Sequence, residues 1–203
     1  MIIPPSKSLL RRELRTQRRR LSVAQQCRAA QAMCRHFLRL PGLRAAKTVA
    51  LYLACDGEIS PAPLVRHLGT LGKQVYLPRI NCNGSVMTFA RYQPGDKVQR
   101  HQKLGIWQPL PKAPLCSVVA LDIVGLPLVG FDERGNRLGM GGGFYDRVFN
   151  RRTGRRPLLV GLAHAGQQVA QLPVEPWDAP LDWVTTDMGL HACRRVRLLM
   201  GKG

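Results

Sequence analysis

The sequence predicts an α/β fold in which helices flank a mostly parallel or mixed central sheet. Short apolar runs alternate along the chain with amphipathic stretches of helical period, an order typical of layered α/β proteins. The chain has 203 residues, 45% hydrophobic and 21% charged, which is an ordinary composition for one globular domain. Neither an internal repeat nor a long linker divides it. We therefore interpret residues 1–203 as a single domain with a layered, Rossmann-like architecture.

Two helices are predicted before the first strand. Residues 6–20 carry leucines spaced among arginines, which indicates a short amphipathic helix with a cationic face. Ser22 and Gln25 have the spacing of a capping box, so a second helix is expected from there to about Leu40. A Pro-Gly pair follows and ends that helix.

The later elements are read from apolar runs and from turn residues. Ser60 and Pro61 are a suitable N-cap and first-turn pair for a helix through Leu71. A further helix is expected from Phe144 to about Arg152. Strands are expected at 48–53, 74–78, 86–92, 158–162 and 183–186, with one or two more within 118–129. Residues 93–114 are rich in Pro, Gly, Lys and Gln, and we interpret them as a long loop.

The charge balance predicts an anionic partner. Lys and Arg number 31 against 12 Asp and Glu, which leaves a formal net charge of +19. Nucleic acid, a membrane surface and phosphorylated or carboxylated small molecules would all suit that surplus. No apolar run approaches the ~18 residues of a membrane span, and the composition excludes a disordered chain, a coiled coil and a collagen.

The cysteines and the basic N-terminal stretch bear on location. Six cysteines without C-x-x-C spacing favour reduced thiols, although their even number also permits disulfides. The Arg-rich first twenty residues also suit an organellar transit peptide. We favour their being part of the folded protein, and we expect a cytoplasmic monomer.

A glycine-rich stretch carries the strongest chemical signal. Arg137 precedes a loop in which glycines 139, 141, 142 and 143 surround Met140, just before the helix expected at Phe144. Glycines allow such a backbone to turn its N–H groups toward one anion, above all phosphate. Arg137 can add a bidentate phosphate contact, and Asp146 can hold the accompanying cation. The alternative is a flexible surface turn with a solvated arginine. Neither the P-loop nor the dinucleotide fingerprint matches.

The stretch from Pro127 to Asp146 resembles the signature of the 5-formyltetrahydrofolate cyclo-ligase family, also called 5,10-methenyltetrahydrofolate synthetases. The resemblance extends to other parts of the chain. They are Lys7 to Arg11, Leu53 to Glu58, Leu77 to Arg79, and the C-terminal block from Leu172 through Trp177, Asp178 and Asp182.

The resemblance implies a ligase that closes a ring with a C–N bond and depends on ATP and Mg²⁺. ATP would phosphorylate the formyl oxygen of 5-formyltetrahydrofolate, and N10 would then attack the activated carbon. The products would be 5,10-methenyltetrahydrofolate, ADP and phosphate. Phosphoryl transfer needs mainly positioning and charge neutralisation, which suits the residue types singled out above.

The resemblance also implies roles for individual residues. Catalytic roles fall to Lys7, Arg11 and Arg137. Nucleotide binding falls to Lys7, Ser8, Leu9, Leu10, Arg11, Arg137, Leu138, Gly139, Met140, Gly141, Gly142, Gly143, Phe144 and Tyr145. Folate binding falls to Leu53 and Glu58 together with Met140, Gly141, Gly142, Gly143 and Phe144. Asp146 and Asp178 would support Mg²⁺, with Asp182 as second choice.

Several of these residues also have plainer interpretations. Lys7 and Arg11 lie one helical turn apart, so by composition alone they form a solvated basic face. Glu58 suits the role of a carboxylate at a helix N-terminus, and Leu53 suits that of a core strand residue. Asp146 could stabilise a helix start, and Asp178 could make a hydrogen bond in a turn. Trp107 could wall the folate site or anchor its loop. Gln108 stands where the family commonly has an acidic residue, which puts the role of that position in doubt. The five histidines show no metal-ligand spacing and are taken as structural or solvated.

Two other functions remain open at this point. One is a nucleic-acid-binding module built on the basic N-terminal helix and the Arg-rich stretches 151–156 and 194–197. Aromatic residues are only 6% of the chain and none lies among those arginines, so base stacking is disfavoured and we expect no specific nucleic acid. The other is a folate- or nucleotide-binding protein that has lost catalysis.

Overall fold

The computed structural model describes residues 6–150, 152 and 156–193. Its helices are α1 (Lys7–Arg19), α2 (Val23–Phe37), α3 (Ala62–Thr70) and α4 (Phe144–Phe149). Its strands are β1 (Thr48–Ala50), β2 (Gln74–Ile80), β3 (Met87–Arg91), β4 (Val98–Arg100), β5 (Trp107–Pro109), β6 (Leu115–Cys116), β7 (Ile123–Pro127), β8 (Gly130–Phe131), β9 (Arg137–Leu138), β10 (Leu158–Ala163), β11 (Trp183–Thr186) and β12 (Leu190–Ala192).

An eight-stranded sheet in the order β12-β11-β10-β7-β1-β2-β3-β6 forms the centre of the molecule. The five middle strands, from β11 to β2, are parallel, and antiparallel strands lie outside them. Counted along the chain, the parallel strands have the spatial order 2-1-3-4-5, which is a doubly wound order. The prediction of a Rossmann-like α/β fold with a mostly parallel sheet is confirmed. In such sheets the ligand crevice lies beyond the carboxyl ends of the two strands where the order reverses, here β1 and β7.

Alternate residues of each strand face opposite sides of the sheet, and both sides are covered. On one side, α2 and α3 pack through Met33, Phe37 and Leu64 onto strand residues such as Val49. On the other side, Ala50 belongs to a second cluster. That cluster also includes Val124, Leu159, Phe89 from β3 and Phe149 from α4.

Helix α1 packs outside this sheet, over the loops that follow β7. Ser6 caps the helix by accepting a hydrogen bond from the Leu9 N–H at 3.3 Å. Leu10 and Leu14 are buried against Val129 and Leu172. The leucine stripe of the sequence therefore holds the helix down and leaves its basic face beside the crevice.

The predicted elements are present, with different ends. The Ser22–Gln25 capping box is confirmed, but α2 ends at Phe37 and α4 ends at Phe149. Pro61, rather than Ser60, is the N-cap of α3, while Ser60 Oγ still accepts from the Ala62 N–H at 3.3 Å. The first strand stops at Ala50, because the chain then leaves the sheet to form the crevice.

The interpretation of residues 93–114 as a loop without strands was wrong. Strands β4 and β5 form a hairpin there. The short hairpin of β8 and β9 and the edge strand β12 were also not predicted. Each of these strands has only two or three residues, too few for a period to appear in the sequence.

Three further expectations concern location and surface charge. Cys27, Cys34, Cys55, Cys82 and Cys116 are free thiols, as the sequence favoured. Within the described ranges no helix is long and apolar enough to cross a membrane. The Arg-rich stretch 194–197 and most of 151–156 lie outside the residues that the structure describes.

Candidate functional site

A cavity of about 900 Å³ opens at the carboxyl ends of β1 and β7, where the strand order reverses. Its volume is within the range of small-molecule sites. Parts of the chain that lie far apart in the sequence line it. They include the basic face of α1 (Lys7, Arg11 and Arg15), the segment after β1 (Tyr52 to Glu58), Pro78 and Ile80 of β2, Met87 of β3, residues Leu104 to Trp107, Pro127 and Leu128, the stretch from Arg137 to Arg147, Asn150, and the loop holding Glu175, Trp177 and Asp178.

The predicted site residues fall into two groups. Ser8, Leu9 and Leu10 do not line this cavity. The Oγ atom of Ser8 is 3.0 Å from that of Ser6 at the helix cap, and Leu10 is buried in the core below α1. Their nucleotide role stays a prediction without support from the geometry. The cavity brings together all the other predicted residues, namely Lys7, Arg11, Leu53, Glu58, Asp178 and the unbroken run from Arg137 to Asp146.

The glycine loop requires glycine at positions whose backbone an L side chain rarely adopts. Gly141 has φ of +102° and Gly143, the residue just before α4, has φ of +63°. Two arginines brace the loop through its carbonyls. Arg11 Nε donates to the Gly139 carbonyl at 2.8 Å, and Arg147 Nη1 donates to the Gly142 carbonyl at 2.9 Å. Arg11, Arg147 and the loop from Gly139 to Gly143 all line the cavity.

Arg137 is held firmly by protein partners. Its Nη2 atom is 2.6 Å from Oδ1 of Asp146, and its Nη1 donates to the Ala179 carbonyl. The side chain is only 4% exposed. A ligand phosphate that used Arg137 in the bidentate manner predicted from the sequence would therefore compete with Asp146.

Lys7 is paired in the same manner. Its Nζ lies 3.0 Å from Oδ2 of Asp178 and 3.9 Å from Oε1 of Glu175. Two of the three cations predicted to bind phosphate, Lys7 and Arg137, thus each lie beside one of the two carboxylates predicted to bind the metal.

The two predicted metal carboxylates are close to each other in the fold. Asp146 Oδ1 accepts a hydrogen bond from the N–H of Ala179, the residue after Asp178, at 3.1 Å. In the part of the chain that the structure describes, no three His, Cys, Asp or Glu side chains are grouped to hold a metal. Two carboxylates still fit Mg²⁺, which commonly takes one or two and completes its shell with water and phosphate oxygens.

Asp182, the second choice for the metal, does not line the cavity. Its carboxylate accepts from Arg152 at 2.6 and 3.2 Å and from the N–H of Leu159 at 2.8 Å. These contacts tie the start of β11 to the start of β10, so Asp182 supports the sheet.

Glu58 is a buried carboxylate that lines the same cavity as the glycine loop. It is 8% exposed, and its Oε2 accepts from the Cys55 N–H at 3.1 Å. Burial raises the pKa of Glu58, while that hydrogen bond and the charge of Arg18 oppose the rise. Leu53 also lines the cavity and packs against the core, so both roles considered for it are compatible.

Sequence reasoning missed two residues beside Glu58. Asp56 has φ of +52°, unusual for a non-glycine residue, and accepts from three arginines of α1, Arg15, Arg18 and Arg19. The Asp-Gly pair at 56–57 is a turn signal that could have drawn attention to this position. Arg18 follows Leu10 and Leu14 at intervals of four residues, and this continuation of the buried stripe of α1 was the signal that could have singled it out.

Trp107 and Gln108 face in opposite directions. Trp107 lines the cavity and is 51% exposed, which fits a wall of the site. The Gln108 side chain is buried and makes two hydrogen bonds with the backbone of Ile80, at 2.9 and 3.2 Å. Gln108 therefore fastens the β4–β5 hairpin to the end of β2.

Known proteins resemble this chain over most of its length. The model of the 5-formyltetrahydrofolate cyclo-ligase family matches residues 4–187. The 5-formyltetrahydrofolate cyclo-ligase of Haemophilus influenzae is 43% identical over 174 residues, which cover 85% of this chain and 92% of that protein. The 5-formyltetrahydrofolate cyclo-ligase of Escherichia coli K12 is 39% identical over 175 residues, which cover 85% of this chain and 96% of that protein. The NMR structure of Aquifex aeolicus 5,10-methenyltetrahydrofolate synthetase has a TM-score of 0.79, 30% identity and 95% coverage of both chains.

Proposed function

Because the chain belongs to the 5-formyltetrahydrofolate cyclo-ligase family, we propose that it converts 5-formyltetrahydrofolate to 5,10-methenyltetrahydrofolate and consumes one ATP per turnover. One observation carries the proposal. A single cavity is lined both by a glycine loop with its cations and by a buried carboxylate, Glu58. An anionic nucleotide and a ring rich in N–H donors need such opposite environments within reach of each other.

The nucleotide side of the proposal rests on α1 and the glycine loop. Lys7, Arg11 and Arg137 hold the phosphates of ATP, and loop N–H groups add hydrogen bonds. Arg11 is already bonded to the Gly139 carbonyl, so it positions the loop as well as adding charge. Lys7 and Arg137 exchange a carboxylate partner for a phosphate oxygen when the nucleotide binds.

The folate side rests on Glu58. A carboxylate can accept two N–H donors from one face of a pterin ring, and a buried one does so without competition from water. Trp107 and Leu53 supply apolar walls around the same volume. The ring would then lie with its formyl group toward the glycine loop.

The reaction that follows from this placement has two steps. The formyl oxygen takes the terminal phosphoryl group of ATP, and ADP remains. N10 then bonds to the activated carbon, loses its proton, and phosphate leaves with the former formyl oxygen. The phosphoryl oxygens are held in line by Lys7, Arg11 and Arg137 while the charge on those oxygens changes during the transfer. Asp146 and Asp178 would hold Mg²⁺, which when bound supplies positive charge to those oxygens.

The same proposal accounts for the net charge of +19. ATP and the glutamate tail of the folate are anionic, and cations draw such substrates in. Any binding to nucleic acid is then non-specific and falls steeply with salt. We further propose that the protein acts as a monomer in the cytoplasm, where the free thiols named above would remain reduced.

A spectroscopic assay tests the proposal. Protein, ATP, Mg²⁺ and 5-formyltetrahydrofolate are mixed, and the near-ultraviolet absorbance of the methenyl product is followed together with ADP. Product should form one for one with ADP, and should require both ATP and Mg²⁺. Folded protein that binds both substrates without forming product would support the alternative of a binding protein. Sequence-selective nucleic-acid binding that persists at about 200 mM salt would support the alternative of a nucleic-acid-binding module.

A further inference from the structure

One arginine of α1 turns into the protein interior instead of toward solvent. Arg18 is 2% exposed, although it lies among Arg15, Arg19 and Arg20 on a strongly basic helix. Burying a guanidinium is costly unless its donors are satisfied. Its contacts therefore indicate what the burial achieves.

The guanidinium of Arg18 joins three segments of the cavity wall. Nε donates to the backbone carbonyl of Asp56 at 2.8 Å, and Nη1 donates to that of Leu128 at 3.1 Å. Nη2 bonds Oδ2 of Asp56 at 2.9 Å and contacts the sulfur of Met140 at 3.8 Å. The same Nη2 lies 4.0 Å from Oε1 of Glu58. One side chain thus spans the ends of β1 and β7 and the glycine loop.

The charged surroundings of Glu58 show how much depends on this contact. Burial raises the pKa of the Cys55 thiol to about 12 and also raises the pKa of the Tyr52 and Tyr145 hydroxyls. These three groups are therefore neutral at ordinary pH. Asp56 remains an anion, because hydrogen bonds from three arginines outweigh its partial burial and lower its pKa to about 2. Arg18 supplies the positive charge within this set. The titratable groups that face Glu58 are those of Arg18, Tyr52, Cys55, Asp56 and Tyr145.

We propose that Arg18 is a positioning residue for the folate side of the reaction: it fixes the turn that carries Glu58 and keeps that carboxylate ionised. The inference rests on the proposed function, in which Glu58 binds the folate ring. Arg18 itself does not line the main cavity, so it acts through Glu58. The strand ends would stay joined by backbone bonds without it, but Glu58 would lose its nearest cation.

The pH dependence of folate use tests this role. Arg18→Met should shift the acid limb of kcat/KM for 5-formyltetrahydrofolate upward by about one pH unit, because a carboxyl without its cation protonates more easily. The folate KM of this variant should exceed the wild-type value by a larger factor at pH 6 than at pH 8, with a limit of about tenfold at pH values below the acid limb. The KM for ATP should change little. A merely structural loss would lower activity by the same factor at both pH values.

A second variant keeps the test decisive if Arg18→Met does not fold. Asp56→Asn removes the anion that competes with Glu58 for Arg18, so the acid limb should move to lower pH, in the opposite direction. Arg12→Met, which alters an exposed arginine on the same helix, is the matched control and should leave the profile unchanged. In a Glu58→Gln background, Arg18→Met should have the same effect at pH 6 and pH 8.

The outcomes separate the two hypotheses. Failure of the wild-type chain to form methenyl product contradicts the proposed function. Normal wild-type turnover with an acid limb that moves in neither Arg18→Met nor Asp56→Asn contradicts the positioning role alone. Opposite shifts in the two variants support it, and so does a downward shift in Asp56→Asn if that is the only folded variant.

Discussion

The Nζ atom of Lys7 lies 3.0 Å from Oδ2 of Asp178, and this ion pair joins the first helix to a loop 171 residues later. Both side chains are partly exposed, at 25% and 20%. Ion pairs in such positions contribute only about 0–1 kcal/mol. A phosphate with more negative charge can therefore take the lysine from the aspartate, which leaves the carboxylate free for a metal.

Replacement of the α1 cations should weaken the use of ATP. Lys7→Ala and Arg11→Ala each remove a charge-assisted hydrogen bond, so each should raise the KM for ATP about tenfold or more and the folate KM much less. Steady-state kinetics with each substrate varied in turn measures the split. Arg12→Ala, on the exposed face of the same helix, is the control. Equal effects on both substrates would contradict a phosphate role, as would full turnover by a chain that begins near Ser22.

The two cavity aspartates should determine the requirement for Mg²⁺. Asp146→Asn and Asp178→Asn should lose activity at low Mg²⁺ and recover part of it as Mg²⁺ rises. Thermal stability should change little in Asp178→Asn, whose ion pair is partly exposed, and should fall in Asp146→Asn, which takes the carboxylate from the buried Arg137. Asp182→Asn should lower stability without changing the Mg²⁺ requirement. It loses the paired contacts with Arg152, so its melting temperature should fall while its Mg²⁺ dependence stays that of the wild type. An unaltered Mg²⁺ curve in the two cavity variants would assign them to the fold.

Glu58→Gln should act on the folate side. The amide keeps the shape but removes the charge that accepts ring N–H groups, so the folate KM should rise about tenfold or more while the ATP KM changes little. Burial raises the pKa of Glu58, so wild-type folate affinity should fall as pH drops through that pKa and the carboxylate protonates. The variant lacks this titration and should lose that part of the acid limb. Unchanged folate kinetics would return Glu58 to a structural role.

Gln108 offers a test of the hairpin attachment. Gln108→Ala removes two buried hydrogen bonds to Ile80 and leaves that backbone unpaired, which should lower the free energy of unfolding by about 1–3 kcal/mol. Because the same hairpin carries Trp107 into the cavity, the folate KM should also rise. Gln102→Ala, at an exposed position of the same hairpin, is the control. Denaturant unfolding and folate kinetics together measure both effects, and stability equal to that of Gln102→Ala would disprove the attachment.

Local patterns in the sequence predicted those parts of the fold that depend on local physics. The Ser22–Gln25 box, the leucine stripe of α1 and the long parallel strands all have a period or a capping pair that can be read directly. The glycine loop was also readable, because positive φ at Gly141 and Gly143 needs glycine. These features account for the sheet and for one side of the cavity.

The remainder depends on contacts between distant residues. Gln108 is polar and lies in a stretch rich in turn residues, yet it is buried because Ile80 offers a matching donor and acceptor. Arg18 lies on the buried stripe of α1, but its partners Asp56 and Leu128 are distant in the sequence and are brought to it by the sheet. A single sequence does not show which distant residues meet. The attachment of the β4–β5 hairpin and the partners of Arg18 could therefore be identified only in the structure.

The docking of α1 has a consequence for the order of events during synthesis. Helix α1 is made well before its partners Val129, Leu172 and Asp178, which lie much later in the chain. Until they leave the ribosome, Leu10 and Leu14 lack these core partners, and Lys7 lacks Asp178. The cavity is consequently completed only after the loop that holds Asp178 has been made and α1 has packed beside it. Chains that stop before this loop should be inactive.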